Sequence, residues 1–319
     1  MKKEVSIFVV LLVGLTFAGC STKEDETETP PQENQAVIDI HMHTYQWNRY
    51  GENPPPNYIS GKVPAARTDI EALEAYEAVM KQYNIVLAVG SAEYDMATKW
   101  KEYAPDKFYV GQQFPRNTTP GKPRKTIWPD IAELRKRYKN GELQIMGEVM
   151  AQYAGVYLND PVMEPYFAMA EEMGIPVCLH SGFGEPMLPY TSDPDFRMRY
   201  GNPLFLEDVL VKHPDLKVYI AHGGYPYQDE TIALMLMYQQ VYMDISAINW
   251  ILPREEFHRY IKPFFDLYMG KRIMFGSDQM IWPDAVGMGI EAVESADFLS
   301  EEQKRDVFYN NAARFLGLE

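Results

Sequence analysis

Hydrophobic positions along the chain follow two periods that take turns. From Ala36 onward, short runs of β-branched and aliphatic residues alternate with longer stretches whose apolar positions recur every three or four residues. The runs at 36–42, 85–90, 108–114, 145–150, 176–180, 217–222, 241–246 and 272–277 read as strands. Stretches such as "TDIEALEAYEAVMKQY", "WPDIAELRKRYKNG" and "VMEPYFAMAEEMG" read as amphipathic helices with charged outer faces, with stop signals such as "NG" or "MG" at their ends. Strands joined by helical crossovers pair in parallel. Eight such units predict an α/β fold, a closed (β/α)8 TIM barrel. An open doubly wound sheet is the runner-up, but no Gly-rich phosphate loop follows the first strand.

Three loops that follow strands are long: "TYQWNRYGENPPPNYISGKVPAAR" after the first, "PRNTTPGKPRKTI" after the third and "GFGEPMLPYTSDPDFRMRY" after the fifth. In a barrel they emerge together on the C-terminal face, where long loops act as lids and substrate walls. Trp47, Trp128, Trp250 and Trp282 fall in or near such loops. Either they line an aromatic pocket for a ring-shaped substrate, or they pack on neighbouring loop side chains.

The N-terminal pattern is different. Lys2 and Lys3 precede an apolar run from Val5 to Phe17, and "FAGC" ends it at Cys20. The run is short for a membrane span and reads as a signal peptide over 1–19. It resembles a bacterial lipoprotein signal, with Phe17 in place of the usual leucine, which implies cleavage before Cys20 and lipidation of that cysteine. Residues 20–35 carry almost no apolar side chain and read as a flexible tether. Residues 36–319 then form one domain, in an outer-membrane lipoprotein of the cell envelope that touches the membrane only through Cys20. With Cys20 lipidated, Cys178 has no partner for a disulfide and reads as a buried thiol. The net charge of −15 and the lack of a basic run exclude a nucleic-acid partner.

The chemistry gathers at the ends of the strands. His41 and His43 sit two apart in "DIHMH", so both point to one face of the first strand. His180 ends the fifth strand, His222 the sixth and Asp278 the eighth. A barrel gathers those ends around its axis, and histidine with carboxylate is the ligand chemistry of a divalent ion. Glu148 ends the fourth strand in "IMGEVM", either as a ligand, bridging two ions or holding one, or as a carboxylate that orients a histidine. No lysine lies in that strand, which rules out a carbamylated-lysine bridge there. His213, at a helix end, and His258, within a helix, are assigned to no site.

These motifs, with "MAEEMGIPVCLHSG", "LVKHPDLKVYIAHGG", "RIMFGSDQ" and "VFYNNAARFLGL", resemble the amidohydrolase superfamily, in particular its amidohydrolase-2 branch. The resemblance runs from residue 38 to residue 318. It implies a metal-dependent barrel with one or two divalent ions, zinc foremost. It makes His41, His43, His180 and Asp278 ligands, with Asp278 also the proton acceptor for the attacking water. Glu148 matches the fourth-strand glutamate of some members and keeps a two-ion centre open. His222 becomes a second-ion ligand in binuclear members, or an acid/base in mononuclear ones. The expected reaction is hydrolysis of an ester, lactone or amide in a small molecule. A nonoxidative decarboxylase is the alternative, with Arg49, Arg116, Arg197 and Arg199 as candidates for its cationic clamp. A third reading is an inactive surface-binding lipoprotein. Members of the branch often form homodimers.

Overall fold

The computed structural model describes residues 35–117 and 125–318. The expected signal peptide, Cys20 and all but the last residue of the expected tether lie outside the described residues. Among the described residues, eight strands form one sheet: β1 (Val37–His43), β2 (Ile85–Ala92), β3 (Phe108–Phe114), β4 (Ile145–Val149), β5 (Val177–Leu179), β6 (Val218–Ile220), β7 (Val241–Asp244) and β8 (Ile273–Met274). They lie side by side in chain order, and each neighbouring pair is parallel. The last strand returns to the first through backbone bonds, Ile40 N to Phe275 O at 3.0 Å and Ser277 N to His41 O at 3.0 Å. The sheet is therefore a barrel.

Helices cover the outside, as the periodicity requires. The helix Asp69–Gln82 starts where Thr68 accepts from Glu71 N, and it buries Leu73, Tyr76 and Met80 against the sheet. The helix Glu164–Met173 ends where Gly174 adopts φ +64, the left-handed stop foreseen in "MG". Inside the barrel, Ile38, Ile40, Leu87, Val89, Ile145, Cys178, Tyr219 and Met274 form a separate cluster. The C-terminal helix Asn311–Leu316 adds Ala312, Ala313 and Phe315 to it. This apolar plug fills the barrel beneath the histidines.

The sequence pattern runs β6, β7 and β8 two or three residues too far. The chain leaves the ladder just where functional side chains appear: His222 has φ +57, Ala247 φ +58 and Asp278 φ +47. Left-handed conformations cannot continue a strand. They turn these residues inward over the barrel mouth.

Candidate metal centre

β1 carries a bulge, in which Asp39 to Met42 spans only Ala88 to Gly90 of β2. Beyond it, His41 and His43 both reach the barrel axis, with Nε2 atoms 3.8 and 3.6 Å from Glu148 Oε2. Glu148 follows Gly147, whose φ is +118 and whose added Cβ would lie 2.6 Å from Cys178 O. Only glycine fits there. His180, just past β5, places Nδ1 2.5 Å from Glu148 Oε1. His222 Nε2 lies 3.5 Å from the same oxygen and 3.3 Å from His180 Nδ1. Asp278 Oδ1 lies 3.0 Å from His43 Nε2, and its Oδ2 lies 3.9 Å from His222 Nδ1. All six expected site residues are buried and share one cluster. His213 and His258 are elsewhere, held by Glu171 and by the Ala292 carbonyl.

The proton on each ring follows from its partner, because carbonyl and carboxylate oxygens only accept. His41 Nδ1 faces Asp244 Oδ2 at 2.8 Å, so it donates there. His43 Nδ1 faces the Ser91 carbonyl at 3.1 Å, and His180 Nε2 the Phe183 carbonyl at 3.1 Å. A neutral imidazole has one proton. The three inward nitrogens, His41 Nε2, His43 Nε2 and His180 Nδ1, are therefore bare lone pairs pointed at carboxylates. His41 Nε2 and Asp278 Oδ1 are both buried with no hydrogen-bond partner. Buried lone pairs facing carboxylates repel unless a cation lies among them. The donor set thus fits a divalent ion: the donor atoms of His41, Glu148 and His222 lie close enough to share one, as do those of His41, His43 and Asp278.

The titration directions report the same demand for positive charge. Burial disfavours charge on His41, yet Cys178 and the paired Asp244 together lift its pKa well above the usual imidazole range. Burial likewise opposes a charge on His222, and Glu148 and Asp278 outweigh it and raise its pKa. For His180 burial wins, and the pKa falls. Burial would raise the Glu148 carboxyl, but His180, His222 and His41 together hold it well below its ordinary value. Without an ion, the surplus of carboxylates recruits protons instead, so metal and protons compete.

Behind the cluster, Asp244 and Tyr45 went unnoticed in the sequence, whereas Cys178 is the buried thiol expected there. Asp244 Oδ2 fixes His41, while its Oδ1 accepts from His222 N at 3.0 Å and Ser246 N at 2.9 Å. Tyr45 stacks flat on His43 with centroids 4.2 Å apart, and the Arg49 guanidinium caps Tyr45 at 3.3 Å. Cys178 is buried below the histidines, 4.0 Å from His41 Nδ1, and burial pushes its thiol up to about 11.

Above the cluster opens a cavity of about 510 Å³. His43, His222 and Asp278 form its floor, and Tyr45, Tyr50, Tyr58, Tyr153, Phe183 and Tyr225 supply its rings. None of the four tryptophans lines it. Trp250 and Trp282 are buried, donating to the Ser277 and Pro55 carbonyls and pinning loops. Trp128 packs on Phe114 and Tyr166, and Trp47 borders a separate small cavity. The expected arginine clamp is also displaced. Arg49 turns to Tyr45 and Glu93, Arg197 to the Pro194 and Phe196 carbonyls, and Arg199 to Tyr200. The Arg116 side chain lies outside what the structure describes.

Fold and site define a (β/α)8 barrel with a buried histidine–carboxylate centre at the C-terminal ends of its strands. The chain belongs to the amidohydrolase family, whose sequence profile matches residues 38–318. It is 20% identical over 158 residues to Protein fluG of Emericella nidulans, a match that covers 45% of this chain and only 17% of that protein. The chain therefore corresponds to a small part of that relative's length. Its fold is similar to that of a probable 2-pyrone-4,6-dicarboxylic acid hydrolase from Acinetobacter baumannii, with a TM-score of 0.60 at 14% identity over 88% of this chain and 99% of that one. It is also similar to that of 5-carboxyvanillate decarboxylase from Sphingomonas paucimobilis, with a TM-score of 0.52 at 14% identity over 76% of this chain and 82% of that one.

Proposed function

We propose that the chain is a metal-dependent hydrolase that opens an ester, lactone or amide bond in a small, ring-bearing molecule. The observation that carries this reading is the trio of bare, inward imidazole nitrogens facing Glu148 and Asp278 at the foot of an aromatic cavity. A divalent ion there, zinc by the donor set, would supply Lewis acidity and lower the pKa of water from about 15.7 toward about 7. The chain's own residues do the rest. Asp278 lines the cavity whereas Glu148 does not, so Asp278 is the carboxylate placed to take a proton from an attacking water and pass it to the leaving group. His222, also on the floor, is placed to hold the carbonyl oxygen as negative charge develops. The tyrosines and Phe183 offer ring faces and keep water out.

The Acinetobacter hydrolase supports this reading by analogy, and the Sphingomonas decarboxylase supports the second, nonoxidative decarboxylation. Arg49, Arg197 and Arg199 are engaged elsewhere, which favours hydrolysis. An inactive binding protein would have no need of an intact donor set. The test is elemental analysis of the purified chain, followed by a panel of aromatic esters, lactones and carboxylic acids. Hydrolysis without CO2 release is expected. CO2 release with no hydrolysis would favour decarboxylation, and a His41→Ala, His43→Ala double variant with full metal and activity would sink the site. We further propose that Cys20 carries the lipid that tethers the domain outside the cytoplasm. Labelling with a radioactive fatty acid should mark the wild-type chain and miss Cys20→Ser; equal labelling of both would refute the tether.

A further inference from the structure

We infer that the outer wall of the cavity, formed by Glu185, Tyr50, Tyr58 and Met280, is a subsite for a cation, so that the substrate carries an ammonium-type group at the end away from the floor. The chemistry at the floor rests on the hydrolase reading; binding at the wall does not. Among the described residues, two carboxylates line the cavity, Asp278 and Glu185, and no lysine or arginine does. Asp278 belongs to the floor. Glu185 comes from the loop after β5 and is half-buried. Tyr58 beside it is 59% exposed, whereas the floor is buried, so this wall stands at the mouth. A substrate carboxylate would meet like charge there, and a cation would meet the opposite charge.

The wall is built before anything binds. The Tyr50 hydroxyl donates to Glu185 Oε1 at 3.0 Å and lies 3.2 Å from Met280 Sδ. A carboxylate accepts about four hydrogen bonds, so one donor does not exhaust it. Burial first, and then Glu185, raise the Tyr50 hydroxyl well above the usual phenol range, so it stays a donor and adds no charge of its own. The same two causes raise Tyr58, which puts that phenol within the field of the same carboxylate. Both rings are seated on one indole. Tyr50 stacks on Trp282 with centroids 5.7 Å apart, and Tyr58 meets it edge-on at 5.0 Å. Trp282 is buried and donates to the Pro55 carbonyl at 2.9 Å, which fixes the seat. A carboxylate, two phenol rings and a thioether hold an ammonium group by charge and by the ring electrons. Glu185 thus sets which substrate enters and takes no part in breaking the bond.

The zinc-loaded full chain is titrated calorimetrically with benzyltrimethylammonium and with 2-phenylethanol. A quaternary nitrogen has no lone pair, so it cannot bind the zinc. The cation should bind about 10-fold more tightly than the alcohol, and Glu185→Gln should remove most of that difference. Glutamine keeps an oxygen for Tyr50 and loses only the charge, so a Glu185 that merely ties two loops together would leave the difference intact. Tyr50→Phe cuts the tie, keeps the charge and should retain the difference. Equal binding of the two probes by the wild type, or a difference that survives Glu185→Gln, would overturn the subsite. The wild-type comparison decides even if a variant fails to fold. Hydrolysis is read separately, on phenyl acetates with a trimethylammoniomethyl or a 2,2-dimethylpropyl group at the para position. The ratio of kcat/KM for the cationic over the neutral ester should fall about 10-fold in Glu185→Gln, a comparison in which each ester's own reactivity cancels. Preferred binding of the cation with no cleavage of either ester would defeat the hydrolase reading and leave the subsite standing. Cleavage of both esters with no preference for the cation would do the reverse.

Discussion

Asp244 never meets the cavity, yet three parts of the centre depend on it. Replacing it by Asn would present an N–H to His41 and push that ring's proton inward, onto the nitrogen an ion needs. Asp244→Asn should fold normally and bind zinc 10- to 100-fold more weakly, roughly the effect of losing a ligand-orienting partner, as read by calorimetric titration. Asp39 offers a pH test. It accepts from Tyr76 Oη, Ser277 N and His41 N, at 2.6, 2.9 and 3.2 Å, but burial prevails and pushes its carboxyl up to about 6. Such a group binds its proton more tightly folded than unfolded. Its stabilisation is complete below pH 3.8 and is lost as the pH rises to about 6. Urea titrations of the ion-free protein should show a loss of the order of 3 kcal/mol across that window, and Asp39→Asn should flatten it. The clustering of the histidines was legible because each ends an apolar run that a barrel directs to its axis. Asp244 ends the seventh run in the same way, in "VYMDIS". It was missed because a search for metal donors starts from histidine, and a carboxylate behind a ligand looks like any other in one dimension.

At the scale of elements, the two periods were enough to place all eight strands, because burial on both faces leaves the same signature in each. Strand ends were less legible. They depend on backbone angles that His222, Ala247 and Asp278 adopt against their own preference, held by the hydrogen bonds around them. The loops were least legible. Loop carbonyls accept from the indole N–H groups of Trp250 and Trp282, so those two rings went under the loops and the tyrosines took the cavity. One loop contact is open to test. Gly182 has φ +80, and a Cβ there would meet Tyr225 O at 1.9 Å. The same Tyr225 carbonyl accepts from Phe183 N, and the Phe183 carbonyl holds His180. Gly182→Ala should cost about 2 kcal/mol or more in urea denaturation. It should also weaken zinc binding, since the strain falls on the strap that orients a ligand.

At the scale of the molecule, the clustered side chains come from β1 and β4, from just past β5 and β6 and from the turn after β8, so no fragment of the chain owns the site. Binding an ion and closing the barrel are one equilibrium. An ion present at about 100 times its Kd adds about 2.7 kcal/mol to the folded state, so chelation should lower the Tm by roughly 5 °C or more. An unchanged melting curve would mean that no ion is held. His41 O accepts from both Ser277 N and Asp278 N, at 3.0 and 2.7 Å, so the two donors farthest apart in the chain flank the joint between the first strand and the last. An ion gripped by His41 and Asp278 is a clasp on a bracelet, a removable cross-link between the two ends of the domain. It should act as cross-links do, by restricting the open chain. Amide exchange at Ile40, Ser277 and Asp278 should then slow on zinc loading more than exchange in the middle of the sheet.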